Sequence, residues 1–295
     1  MRGNIYCIVM RKWMTYLLIF IVGFIGVSIW SFWIVIHPPQ INIGASPEDY
    51  SLPYEEVSIK TKDNITLSGW LTHSQKESRK IIIILHGYPA EKSDMLSIAS
   101  ALYPDFSLLL LDLRHFGNSE GAYTTLGVKE RGDMQVATDF VKERGYEHIG
   151  VFGFSLGGAI GIVSAAEDDR INAVASYAVY SDLRHLGWES YRVISLLKYP
   201  LVELMNLWSK MLFGTSVASL SPEQAAVKLN IPVFIIHTKQ DEQIAFSHAK
   251  RLERALEQNS KAEFYFPEQG FHGELPLDFN DRLRNFFRRK LSLEK

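Results

Sequence analysis

Residues 150–158 read GVFGFSLGG, and they are the stretch best able to present a nucleophile. Gly153 and Gly157 stand two before and two after Ser155. That spacing suits a sharp strand-to-helix turn that lifts the serine hydroxyl clear of a sheet and sets the next backbone N–H beside it. The pattern alone is common. Its context strengthens it, because an apolar strand-like run precedes it and a small-residue helical run, GGAIGIVSAA, follows. A serine acting only as a helix cap requires neither glycine.

A serine hydroxyl needs a base to take its proton. Of nine histidines, His37 lies by an apolar N-terminal segment, and His73, His148, His185 and His248 read as ordinary surface residues. His115 follows Arg114 in a loop, where it can hold that loop together, and His237 ends an apolar run. His272 is different: PEQGFHGE follows the strand-like AEFYF, so it sits in a loop beyond the last predicted strand. An acid that orients this imidazole belongs between Ser155 and His272, near the end of a strand. Asp241 in VFIIHTKQDEQI meets that condition, and Asp182 after AVASYAVYS is the alternative. Glu242 is displaced by one residue from the matching position. Two N–H donors are also needed for a tetrahedral oxyanion. His86-Gly87-Tyr88 follows the apolar run at 81–85, so the Tyr88 and Leu156 N–H groups are the expected pair.

The elements that must hold these residues are legible from periodicity. Alternation at Val57, Ile59 and Thr61, then at Ile65, Leu67, Gly69 and Leu71, predicts an antiparallel hairpin turning at Lys62-Asp63-Asn64. Continuous apolar runs at 81–85, 106–112, 148–153, 173–179 and 233–238 predict strands covered on both faces. Helical stretches fall between them at roughly 93–102, 126–143, 157–166 and 247–258. Phe279, Leu283, Phe286 and Phe287 then mark one face of a closing helix. Strands alternating with helices predict an α/β fold, a mostly parallel sheet with both faces covered. The segment 182–222 breaks this rhythm with Leu186, Trp188, Tyr191, Leu201, Leu204, Trp208, Met211 and Phe213. Placed above the carboxyl ends of the strands, it either walls a binding crevice as a lid or simply caps the sheet.

Of 295 residues, 47% are hydrophobic, enough for one domain with a sizeable core. The 23 residues from Met14 to Ile36 carry no charge. As a helix they reach roughly 35 Å, against a hydrocarbon core of about 30 Å. Trp13, Trp30 and Trp33 lie towards the ends, where amphipathic rings suit the interface. The span exceeds the usual apolar region of a cleaved signal peptide, so residues 14–36 are expected to remain as an anchor. Residues 1–13 then form a tail, 37–50 a polar tether, and 51–295 the large domain. Arg2, Arg11 and Lys12 precede the span, and Glu48 and Asp49 are the first charges after it. The positive-inside rule puts the amino terminus in the cytoplasm and the large domain outside. Cys7 is the sole cysteine and a possible lipid acceptor on the cytoplasmic side. All 33 acidic residues follow the span, and no basic stripe marks a nucleic-acid surface.

Taken with their context, these motifs resemble the α/β-hydrolase superfamily, in particular bacterial membrane-anchored serine hydrolases similar to Bem46-like and dipeptidyl-peptidase-like members. The resemblance covers about residues 50–295. It rests on LPYEEVSIKTKDNITLSGWL at 52–71, ILHGYPAEKSD at 84–94, LLLDLRHFGNSEG at 109–121, GFSLGG at 153–158, HTKQDEQI and GFHGE. It implies nucleophile Ser155, acid Asp241 and base His272, with oxyanion N–H groups from Tyr88 and Leu156. It also implies a loop of Asp112, Arg114, Gly117 and Ser119 that braces the site. Three departures are visible: Thr238 where the acid loop commonly begins with glycine, Asp63-Asn64 in place of Asp-Gly, and RHFG in place of RGxG.

The chemistry expected is hydrolysis through an acyl-enzyme, with carboxylic ester or acyl-lipid substrates favoured by the apolar 182–222 segment and the membrane tether. A serine peptidase or amidase would use the same triad. A non-catalytic binding protein would not need the triad and oxyanion elements together, and a transferase would need an acceptor that beats water. No metal or organic cofactor is implied, as the chain has no HExxH, CxxC or glycine-rich dinucleotide turn.

Overall fold

The computed structural model describes residues 2–41, 44–75 and 78–291, with the backbone alone for residues 2–5 and Cys7. Lipid attachment at Cys7 therefore concerns a side chain outside the described residues. Helix α1 runs from Arg2 to Ile36. Its stretch Ile8–Ile36, with a mean hydropathy of 2.4, is the one helix among the described residues long and apolar enough to cross a membrane.

Strands β1 (Glu55–Lys60) and β2 (Thr66–Thr72) form the antiparallel hairpin. Asn64 accepts the left-handed backbone of its turn at φ 69°. There follow β3 (Lys80–Leu85), α2 (Leu96–Leu102), β4 (Ser107–Leu111), α3 (Glu130–Glu143), β5 (His148–Phe154), α4 (Leu156–Glu167) and β6 (Ile171–Tyr177). The chain continues through α5 (Leu183–Ser190), α6 (Lys198–Phe213), α7 (Pro222–Ala226), β7 (Val233–Ile236), α8 (Phe246–Ala255), β8 (Ala262–Tyr265) and α9 (Phe279–Lys290). The eight strands make one sheet in the order β1-β2-β4-β3-β5-β6-β7-β8. β1 and β2 pair antiparallel, as do β2 and β4, and every other pairing is parallel.

Successive residues of β3 face opposite sides of the sheet, which explains its unbroken isoleucines. Ile81, Ile83 and Leu85 join α3, α4 and α8 through Met134, Val141, Ile160 and Leu252. Ile82 and Ile84 join α2 and α9 through Leu96, Ile98, Leu283 and Phe286. One element differs from expectation. Helix α3 begins at Glu130 rather than near 126, because Leu126 and Gly127 take positive φ (54° and 99°). The buried Glu130 carboxylate accepts from the Thr125 and Gly127 N–H groups, each at 2.8 Å. A side chain thus takes up donors that a further helical turn would have satisfied.

The segment expected as a polar tether is tied to the domain. Gln40 Nε2 donates to the His115 carbonyl at 2.7 Å, and His115 Nε2 lies 3.3 Å from the Pro38 carbonyl. The last turns of α1 are also packed: Ser28, Phe32 and Ile36 are buried. Phe32 and Ile36 share a cluster with Leu126, Val128 and Val217.

Candidate active site

Ser155 sits between β5 and α4 at φ 50° and ψ −112°, a backbone conformation that costs a non-glycine residue on the order of 1–3 kcal/mol and persists only where packing dictates it. Here the packing does. A Cβ on Gly153 would lie 2.3 Å from the Gly157 backbone, so strand and helix meet too closely for any side chain. The Ser155 N–H donates to the Tyr177 carbonyl at 2.9 Å, fixing the turn to β6.

His272 lies in the loop after β8, and its Nδ1 is 2.8 Å from Asp241 Oδ2 in the loop after β7. The other Asp241 oxygen accepts the N–H groups of Gln243 (3.0 Å) and Ile244 (2.8 Å). Burial pushes this carboxyl up, but the hydrogen bonds from His272 and Ile244 and the two nearby imidazoles outweigh it, so it lies below the usual carboxylate range. Glu242 contributes differently. Its Oε2 accepts the backbone N–H of His272 at 2.9 Å, clamping the histidine loop from the acid loop. Asp182 is committed elsewhere: it caps α5, accepting from Arg184 N–H at 2.9 Å and His185 N–H at 3.2 Å.

The loop after β3 passes beside the serine. A Cβ on Gly87 would lie 2.7 Å from the Phe154 ring and 3.3 Å from Ser155 Cβ. His86 holds this loop, with Nε2 accepting from the Leu113 N–H at 3.0 Å and Nδ1 donating to the Gly87 carbonyl at 2.7 Å. Burial lowers the His86 pKa, which preserves the neutral ring that this pairing needs. The Tyr88 hydroxyl donates to the Val35 carbonyl of α1 at 2.9 Å. Burial pushes that phenol up to about 12.

The bracing loop after β4 is built on two buried charges. The Asp112 carboxylate takes an ion pair from Lys92 and the N–H groups of Lys92 (2.8 Å) and Asn118 (2.9 Å). A Cβ on Gly117 would fall 2.3 Å from that carboxylate, in a backbone of φ 52°. Arg114 pairs with Asp133 (Nε to Oδ2, 2.7 Å) and Asp63 (Nη1 to Oδ2, 2.9 Å). These pairs hold the guanidinium charged against burial. The Ser119 hydroxyl donates to the Asp112 carbonyl at 2.8 Å.

Ser155, Leu156, Tyr88, Asp241 and His272 all line one cavity of about 990 Å³. The segment 182–222 supplies much of its roof through Leu183, Leu186, Tyr191, Val202, Met205 and Val217, and α1 supplies Phe32 and Val35. Their common location is what the sequence could not show, because the α1 residues lie more than a hundred positions from Ser155. The surface reading of His248 is corrected. It is buried in α8, its Nδ1 accepting from the Ser181 N–H (3.1 Å) and within 2.9 Å of the Ser181 hydroxyl, with Nε2 3.1 Å from Glu189. The apolar face it shares with Ala249 and Leu252 is the signal that marked it.

Residues 80–200 match the family model of the α/β-hydrolase fold. The Bem46 protein of Schizosaccharomyces pombe is 26% identical over 149 residues, covering 48% of this chain and 49% of that protein. The chain thus spans about half the length of that relative. The protein YfhR of Escherichia coli K12 is 26% identical over 251 residues, covering 80% of this chain and 78% of YfhR. Among solved structures, the Pyrococcus furiosus esterase Pf2001 superposes with a TM-score of 0.72 at 23% identity, covering 88% of this chain and 99% of the esterase. The Pyrococcus horikoshii acylaminoacyl peptidase does so at 0.66 and 18% identity, covering 83% of this chain and 42% of the peptidase. These two likenesses are of fold. The sheet order, the match over residues 80–200 and the likeness to solved structures together show that the chain has the α/β-hydrolase fold, with sequence similarity to Bem46 and YfhR.

Proposed function

We propose that the chain is a membrane-anchored serine hydrolase that cleaves carboxylic ester or acyl-lipid substrates through an acyl-enzyme. The observation that carries this reading is the 2.8 Å contact between His272 Nδ1 and Asp241 Oδ2, in a cavity shared with Ser155. With Nδ1 donating to Asp241, His272 Nε2 is left as the acceptor for the serine proton. Ser155 Oγ attacks the acyl carbonyl while its proton passes to Nε2. The oxyanion is held by the Tyr88 and Leu156 N–H groups, a contribution of about 2.7–4 kcal/mol per donor in other enzymes. The alkoxide leaves with the proton from His272, and water attacks the acyl-enzyme by the same route in reverse. Asp241 keeps the tautomer and stabilises the imidazolium.

The apolar side chains that α1 and residues 183–217 give to the cavity, Phe32, Val35, Leu183, Leu186, Val202 and Met205, favour esters with an acyl chain over peptides. The charge-free length of α1, with Arg11 and Lys12 before it, supports a single span with the catalytic domain on the outer side. The test is labelling of the full chain with a serine-directed fluorophosphonate. One adduct on Ser155, lost in Ser155→Ala while the variant stays folded, is expected. An adduct on another serine, or full labelling of Ser155→Ala, overturns the reading.

A further inference from the structure

Helix α1 is packed along one face over its last third. Phe24 and Ile25 are half-buried, and Ser28, Phe32 and Ile36 are buried, a spacing that keeps them on one side. Their partners are in α6 and, for Phe32 and Ile36, also Leu126, Val128 and Val217. Trp208 Nε1 donates to Ser28 Oγ at 2.9 Å, and the Phe32 and Phe213 rings lie 5.8 Å apart. Only Met14 to Gly23 of the charge-free span is free of this packing, and that length rises about 15 Å, half of a hydrocarbon core of about 30 Å. Counted from Ile8, where the apolar stretch begins, the unpacked helix rises about 24 Å, so a core of about 30 Å extends onto the first turns that carry α6 on their flank.

The surface beside those turns suits such a place. On α1, Val27, Ile29, Trp30, Trp33 and Ile34 are exposed. Continuous with them, the turn and α6 expose Val193 (87%), Leu196 (75%), Leu207 (46%), Met211 (71%) and Leu212 (48%). The charges here are placed compatibly: Glu203 is paired with Arg184 at 3.1 Å, and Arg192, Lys198 and Lys210 have stems long enough to reach the headgroups. Tyr180 and Asn206 line the cavity, with Tyr180 Oη and Asn206 Nδ2 buried behind its surface. The cavity sets Phe32, Val35, Leu186 and Met205 beside polar Ser190 and Gln243, a lining that fits an acyl chain and its polar head.

We propose that α6 and the turn before it lie in the bilayer beside α1, and that the cavity takes an acyl ester lipid directly from the leaflet in which α1 ends. This rests on the serine-hydrolase reading for its chemistry, but the membrane seat stands on packing alone. Phe32 and Val35 are then both anchor and acyl-pocket wall, and burial of each acyl methylene contributes to lipid capture.

The test uses the full chain reconstituted in phosphatidylethanolamine–phosphatidylglycerol vesicles. Cys7 is the sole cysteine, so Cys7→Ser with Met211→Cys gives one site for an environment-sensitive fluorophore. Emission shifted to the blue and quenched by nitroxide-labelled lipid is expected. Water-like emission without quenching overturns the membrane seat whatever the activity. In parallel, Leu196→Glu with Met211→Glu is assayed on a fluorogenic ester lipid in the vesicles and on p-nitrophenyl butyrate in detergent. At least a tenfold loss on the vesicle lipid is expected, with butyrate turnover within twofold of wild type. Equal vesicle turnover in variant and wild type overturns lipid capture from the bilayer. A wild type that hydrolyses neither ester, with the fluorophore in lipid, overturns the hydrolase reading and the lipid substrate with it, and leaves the seat of α6 standing.

Discussion

Tyr88 reaches across the roof of the cavity to donate its hydroxyl to the Val35 carbonyl at 2.9 Å. The loop whose backbone adjoins Ser155 is thereby tied through its ring to the last turn of α1, where carbonyls lack intrahelical partners. Tyr88→Phe removes that bond while keeping the ring, and is expected to cost about 1 kcal/mol of stability. Thermal unfolding of the full chain in detergent measures it. An unchanged melting temperature would show that the bond carries no net stability.

Asp241 and Glu242 are expected to separate in kinetics. Asp241→Asn should lower kcat by about 10⁴-fold, because an amide can favour the wrong imidazole tautomer. Glu242→Gln keeps an acceptor for the His272 N–H but loses its charge, so a loss of about tenfold is expected. Ester hydrolysis by the two variants, at matched folding, gives the comparison. Equal losses would mean that the two carboxylates serve one role.

Gly153→Ala places a methyl 2.3 Å from the Gly157 backbone. The clash is with main chain on both sides, so neither wall can yield cheaply. A destabilisation of about 3 kcal/mol or more is expected, with loss of fluorophosphonate labelling. Retained labelling at wild-type stability would mean that the turn tolerates a wider approach.

Three buried histidines make stability depend on pH. Burial is the largest influence on His86, His237 and His248, and it lowers all three, with Asp112, Asp241 and Glu189 only partly opposing it. Their folded-state values lie below the unfolded value of about 6.5, so the unfolded chain binds more protons between the two. The stability they contribute is present above about pH 6.5 and is lost as pH falls towards the folded values. Melting temperature should therefore drop between about pH 7.5 and 5.5, and the slope should be shallower in His248→Gln. A flat profile in the wild type would contradict it.

The strands were legible because five apolar runs lack alternation, and the β1–β2 hairpin because it has it. The start of α3 was not, since the turn there depends on the Glu130 carboxylate gathering N–H groups that no periodicity reports. At the site, the spacing around Ser155 and the loops after β7 and β8 marked residues that meet in one cavity. Lys92 was missed, because a lysine in a loop reads as solvated, yet it is buried against Asp112 and lies 4.6 Å from the centre of the Trp70 ring. The role of Glu242 towards His272 runs through a backbone N–H and leaves no pattern in residue type.

The bond between Ser28 and Trp208 joins residues 180 apart. During synthesis α1 emerges while its helical partner is still unmade. The face of residues 28–36 completes its packing only when α6 follows. The cavity wall therefore closes late, after the sheet that carries Ser155 has its first six strands. A contact of this sequence separation slows assembly more than it costs stability, because loop-closure entropy grows only with the logarithm of length. Replacing α1 with an unrelated helix of the same length and hydropathy would lose this docking step and leave one side of the cavity open.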